Sequence, residues 1–164
     1  MRFSKLLSII YPQPPIGGLE VDDAAIRLVE WKNGNPVERG LGLPPGVVEG
    51  GRVKNKAGLT TALKELARPS RGAGGLGIVL TIPSNDVFIQ TINLPPVAIR
   101  NLEEAAELNV QMISPLRPGE FYYDWQRVKR DEVEGGPIEL LGAFVARTTV
   151  NDFVDCLREA GFSL

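Results

Sequence analysis

Three observations predict a mixed α/β fold. Asn33-Gly34 joins two runs of β-branched and large apolar residues, the apolar run Ile78–Ile82 follows a helical stripe, and strand and helix patterns alternate again in the second half. Asn-Gly supplies the two positive-φ residues of a type I′ turn, so Ile26–Trp31 is expected to pair antiparallel with Val37–Leu43. Pro44-Pro45-Gly46 ends the second strand, and the polar stretch Glu49-Gly50-Gly51 leads to a helix over Leu59–Arg68. In that helix Leu59, Ala62, Leu63 and Leu66 form one apolar stripe, and Pro69 stops it. Ile78–Ile82 is short and almost wholly apolar, the pattern of a strand buried on both faces, and Pro83 ends it.

The second half continues with a strand over Val87–Leu94, a break at Pro95-Pro96 and a helix over Ala98–Ile113. Leu102, Ala105, Ala106, Val110 and Ile113 fall on the buried side of that helix, while Glu103, Glu104 and Glu107 lie on its solvated side. Phe121–Lys129 and Ile138–Ala146 read as two strands joined by the acidic, Gly-containing loop Asp131–Pro137. A last helix starts at Thr149-Val150-Asn151-Asp152, buries Val150, Phe153, Val154 and Leu157, and ends at Gly161. Phe162-Ser163-Leu164 has the pattern of a further strand cut before it could pair, which predicts a longer parent protein.

Composition removes whole classes of chemistry. The 164 residues carry 18 basic and 20 acidic side chains, a net charge of −2, so no basic field is present to hold a nucleic acid through counterion release. With no histidine, hydrolases that use a His base, HExxH zinc sites and His proton shuttles are excluded. The one cysteine, Cys156, can form neither an internal disulfide nor a Cys-rich metal cage, and reads as a buried small hydrophobe in a reducing compartment. No apolar run approaches the roughly 20 residues of a spanning helix.

At the N-terminus, Arg2 and Lys5 flank the apolar set Phe3, Leu6, Leu7 and Ile10, spaced for one helical face. The run is too short for a signal peptide, and Tyr11-Pro12 follows directly. Two readings stay open there: a helical turn docked on the domain, or a weak anchor to a membrane surface or partner.

Three further features resemble chemistry. Gly72-Ala73-Gly74-Gly75-Leu76-Gly77 matches GxGxxG by letter, but a helix precedes it and a strand follows, the reverse of the dinucleotide-binding order, so a connector is expected. Glu20, Asp22 and Asp23 could hold a divalent cation, or could simply be a solvated strand-to-strand bend. Phe121-Tyr122-Tyr123-Asp124-Trp125 alternates faces along its strand, so half of its aromatic surface packs in the core and half is a candidate contact surface for a partner.

Taken together, these motifs resemble the type IV pilus assembly family PilM. The resemblance is carried in order by Gly18–Glu30, by Leu43-Pro44-Pro45-Gly46 through Gly51, and by Val79–Ser84. It continues through Ile92-Asn93-Leu94-Pro95, the Leu102–Leu116 segment, Asp124–Val128 and Leu157–Phe162. It implies an actin-like (RNase H-like) fold related to FtsA. Residues 1–17 would be a tail and Pro-rich linker, 18–84 a portion of subdomain 1A, and 85–164 an inserted, SHS2-like α/β subdomain 1C. It also implies a cytoplasmic scaffold at the inner face of the inner membrane. In the family, such a scaffold takes the short cytoplasmic N-terminal tail of the inner-membrane protein PilN in a groove between 1A and 1C, and GspL plays a similar part in type II secretion. Candidate walls for the tail are Ile92, Leu94, Tyr123 and Trp125.

One departure bears on activity. The family's first phosphate loop is of Asp-Ile-Gly-Ser type, whereas this sequence has Glu20, Val21, Asp22 and Asp23. Asp in place of Gly adds a Cβ and a negative charge where a triphosphate would lie. A carboxylate about 4 Å from a phosphate charge is repelled by about 4 kcal/mol at a surface-like dielectric unless magnesium bridges them. The expectation is therefore no enzyme activity and no cofactor. Two rivals are an ATP- and magnesium-binding actin-like subunit and a subunit that self-assembles into homo-oligomers through 1C.

Overall fold

The structure, a computed structural model, describes residues 16–32, 34–68, 76–95, 101–128 and 138–164. The chain divides into two compact units, the first made of Met1–Pro83 with Asp152–Leu164 and the second of Ser84–Asn151. The sequence had assigned everything after residue 84 to the second unit. The last thirteen residues instead return to the first, because their apolar face completes its core.

The first unit is built on a five-stranded mixed sheet. β1 (Ile16–Val21) pairs antiparallel with β2 (Ala25–Lys32), which pairs antiparallel with β3 (Asn35–Gly42). The expected hairpin forms with Ile26 opposite Leu41, and Gly34 at φ 81° supplies the positive φ that the turn requires. A two-residue pair follows, β4 (Val48–Glu49) with β5 (Arg52–Val53), turning through Gly50 and Gly51 at φ 58° and 77°. α1 (Lys56–Ala67) begins three residues before the expected start. Asn55 caps it, its side-chain oxygen accepting the Gly58 N–H at 2.9 Å. β6 (Leu76–Thr81) runs parallel to β1.

β6 differs from its expectation in one respect. Leu76 and Ile78 are buried, but Val79 is 64% exposed. Successive side chains point to opposite faces, and the buried set of the helices joins only the face that carries Leu76 and Ile78.

The second unit contains β7 (Val87–Leu94), α2 (Leu102–Ile113), β8 (Phe121–Arg127), β9 (Ile138–Ala146) and the first turn of α3 (Arg147–Ala160). Its sheet is antiparallel in the order β7-β9-β8. α2 buries Ala106 and Val110 among Ile92, Leu94, Phe121, Leu140 and Phe144, and Phe121 meets Phe144 edge-on at 5.9 Å. Gly142 of β9 fits that packing closely, since a Cβ there would lie 3.0 Å from Ile92 Cδ1 and that side chain would have to shift by a few tenths of an ångström.

Phe153, Cys156, Leu157 and Ala160 of α3 belong to the core of the first unit. Gly161 at φ 89° ends the helix, as expected. β10 (Phe162–Ser163) then pairs parallel with β6, Phe162 opposite Leu76. The terminal strand pattern, expected to be unpaired, is therefore paired. The N-terminal apolar set, residues 72–75 of the Gly-rich segment and the loop 131–137 lie outside the described residues.

Candidate functional site

Glu20 lies near the end of β1, and Asp22 and Asp23 at the bend to β2; Arg27 joins Glu20 to Asp22, whereas Asp23 makes separate bonds. Asp22 Oδ1 accepts the backbone N–H groups of Ala24 and Ala25, both at 2.7 Å, which makes the bend an Asx turn. Asp22 Oδ2 accepts from Arg27 Nη1 at 3.0 Å, and Glu20 Oε2 accepts from the same nitrogen at 3.1 Å. Asp23 reaches across to the β4–β5 turn, its two oxygens accepting the N–H groups of Gly50 at 2.7 Å and Gly51 at 3.0 Å.

Electrostatics follow from this geometry. The Ala24 and Ala25 N–H groups, reinforced by Arg27, hold the Asp22 carboxyl below the usual aspartate range. Glu20 first and Asp22 second push the Arg27 guanidinium up. Chemically, the backbone N–H groups of Ala24 and Ala25 at this bend, and of Gly50 and Gly51 across from it, are engaged by the chain's own carboxylates. Among the described residues no group of three or more His, Cys, Asp or Glu is placed to hold a metal ion.

The four candidate walls in the second unit separate into two pairs. Ile92 and Leu94 are buried in the unit's own core and offer no surface, because β7 turns them toward α2. Tyr123 and Trp125 on β8 are half-buried, packed against that core with one side open. The Tyr123 hydroxyl donates to Glu107 Oε1 at 3.0 Å, and that bond, with burial second, pushes the phenol up.

Sequence reasoning missed the opposite face of the sheet. There Ile89 is 62% exposed and Leu141 43%, with Ala143 and Val145 between β7 and β8. Tyr122 on this face is held by the chain itself, its ring under the Arg147 guanidinium at 4.4 Å and its hydroxyl donating to Asn151 Oδ1 at 3.2 Å. The apolar alternation Val87, Ile89 was the available signal, masked by Phe88 beside it.

No protein-family profile and no curated protein matches the sequence. Solved structures do match. A structure described as the PilM-PilN type IV pilus biogenesis complex is 25% identical, covers 90% of this chain and 45% of its own, and superposes with a TM-score of 0.73. The cytoplasmic domain of EpsL, an inner membrane component of the type II secretion system of Vibrio cholerae, is 13% identical. It covers 90% of this chain and 54% of its own with a TM-score of 0.54, a likeness of fold alone. The chain thus spans about half the length of each structure. No helix among the described residues is long and apolar enough to cross a membrane. The family resemblance carried by the motifs is the one the three-dimensional comparison returns, and the chain is PilM-like in structure over nine-tenths of its length.

Proposed function

We propose that the chain is a non-catalytic scaffold component of a type IV pilus or related type II secretion assembly platform. It works at the cytoplasmic face of the inner membrane, where it docks the short N-terminal tail of a PilN-like membrane protein. The observation that carries this reading is the 25% identical match, at TM-score 0.73, to a protein solved as a PilM-PilN complex. Of the sequence candidates, the open sides of Tyr123 and Trp125 are the surface left for such a tail, since aromatic side chains give large contact area at low entropic cost.

The absence of nucleotide chemistry belongs to the same proposal. At the β1–β2 bend a triphosphate would have to displace Asp22 from the Ala24 and Ala25 N–H groups and meet the carboxylates of Asp22 and Asp23. Like charges at that spacing oppose binding by several kcal/mol, about 4 at a surface-like dielectric.

The test is titration with a fluorescent peptide corresponding to the N-terminal tail of the PilN-like protein. Saturable binding that weakens about 10- to 30-fold in Trp125→Ala, as for an aromatic anchor, is expected. Trp125→Phe controls for packing. A peptide that binds neither this chain nor a longer form of the protein removes the reading. Calorimetry with magnesium and ATP is expected to show no binding, and a saturable isotherm would restore the nucleotide-binding rival.

A further inference from the structure

The first unit carries a second surface that the tail reading does not use. β3 is the last strand of its sheet among the described residues, so one side of its backbone has no strand partner. Which groups lie on that side follows from the ladder. Leu43 N–H donates to the Ala24 carbonyl opposite it at 2.7 Å. Antiparallel pairs alternate between bonded and non-bonded, so Leu41, Arg39 and Val37 also point their backbone groups at β2. Pro36, Glu38, Gly40 and Gly42 point theirs outward.

This edge is guarded over one half only. Proteins blunt exposed edges with proline and charge. Pro36 has no N–H to offer, and Glu38 and Arg39 put charge on the neighbouring positions. Gly40 and Gly42 offer N–H and C=O groups with no side chain beside them. Flanking this open half is a groove between β3 and α1, in two adjoining parts of about 480 and 290 Å³ that share Leu41 and Glu65. Its wider part is walled by Leu41, Val47 and Ala62. Side chains of a strand added to β3 would enter it at every second position, on the face that carries Leu41.

The charge at the groove defines the occupant. Arg39 is ion-paired with Glu30, and Lys64, the neighbour of Glu65 on α1, is paired with Glu159 at 3.0 Å. Glu65 is exposed and makes no ion pair among the described residues. Among the described residues the groove therefore presents an apolar floor with one carboxylate on its rim, Glu65, that no ion pair holds.

We propose that the Gly40–Gly42 edge of β3 is a docking site for an extended segment of a partner protein. The segment adds as a strand, places apolar side chains at alternate positions against Leu41, Val47 and Ala62, and sets a lysine or arginine opposite Glu65. Main-chain bonds to Gly40 and Gly42 supply affinity, and the alternate side chains supply selectivity. The proposal is independent of the tail reading.

Gly40 gives a clean test, because its N–H points away from β2. Gly40→Pro deletes the outward donor and leaves the β2–β3 bonds in place, and edge positions tolerate proline. Gly40→Ala keeps the donor, and its Cβ would meet only ordinary contacts, 3.7 Å from the Ile26 carbonyl oxygen and 3.9 Å from Arg27 Cγ. The full chain is to be panned against a displayed library of random eight-residue peptides, with counter-selection on Gly40→Pro. The expected winners carry apolar residues at alternate positions and one basic residue. As synthetic peptides they should bind the wild type and Gly40→Ala alike, lose at least tenfold against Gly40→Pro, and give way to acidic peptides when Glu65→Lys is panned. Failure to enrich any peptide, winners without the alternation, or winners that bind Gly40→Pro equally well would overturn the proposal. So would a dimer in sedimentation that Gly40→Pro dissolves, which would assign the edge to a second copy of this chain.

Discussion

The two units solve the same problem, covering one face of a sheet, with very different amounts of material. In the first, α1 and the C-terminal part of α3 join the five-stranded sheet in a cluster of nineteen buried residues among those described. In the second, a three-stranded sheet relies chiefly on α2, and eight buried residues make its core. Both bury aromatic side chains, and in the smaller core Phe121 and Phe144 meet edge-on. Fewer residues in the core means that each one carries a larger share of the unit's stability, because burial free energy scales with apolar area removed from water.

The largest expected effect tests that difference. Phe144 is fully buried on β9, the middle strand of its sheet, facing α2. Phe144→Ala is expected to cost about 3–5 kcal/mol, the range for a buried aromatic truncated to alanine. Hydrogen exchange should accelerate in β7, β8 and β9 while β1, β2 and β3 stay protected. Equal acceleration in both units would show that they unfold as one and break the comparison.

How much of this was legible beforehand differs by unit and by scale. The hairpin around Asn33-Gly34 could be read because turn chemistry is local: two residues fix the geometry and the alternation fixes the faces. The return of Asp152–Leu164 to the first unit could not. It depends on α3 burying Phe153 and Leu157 far along the chain from their partners, and periodicity says which face is buried but not against what. The same limit applied to the site. Ile92 and Leu94 read as strand residues, and only the position of α2 shows that they are core rather than surface. At the acidic bend, residue types gave the position but not the partners. That Asp23 clamps Gly50 and Gly51, twenty-seven and twenty-eight residues on, is a tertiary fact.

An intermediate effect is expected where the larger core admits charge. Glu30 is 4% exposed, on the face of β2 that also carries Ile26 and Leu28, and its carboxylate accepts from the Arg39 guanidinium. Arg39→Met should cost about 3 kcal/mol by denaturant melting, because it takes the guanidinium from a buried carboxylate. The double variant with Glu30→Gln should recover most of that loss. Additive losses would mean that the pair is not coupled, and the first unit's apparent tolerance of a buried charge would need another cause.

The smallest effects lie at the two ends of the pH scale, one in each unit, and they carry opposite signs. In the first unit Asp22 titrates below the usual aspartate value, chiefly because its charged form accepts the Ala24 and Ala25 N–H groups. Its contribution is complete above the unfolded value of about 3.9 and is lost as pH falls through the lower folded value. In the second unit Tyr123 titrates above the usual tyrosine value, chiefly because its neutral hydroxyl donates to Glu107. That contribution is complete below about pH 10 and is lost as pH rises through the higher folded value. Asp22→Asn should therefore flatten the acid limb of the stability profile and leave the alkaline limb alone, and Tyr123→Phe should do the reverse. Carboxyl carbon shifts for Asp22 and tyrosinate absorbance for Tyr123 read the two values directly. If Asp22→Asn left the acid limb unchanged, the Asx turn would persist without the charge. The tight β1–β2 bend would then be set by strand pairing rather than by the Asp22 carboxylate.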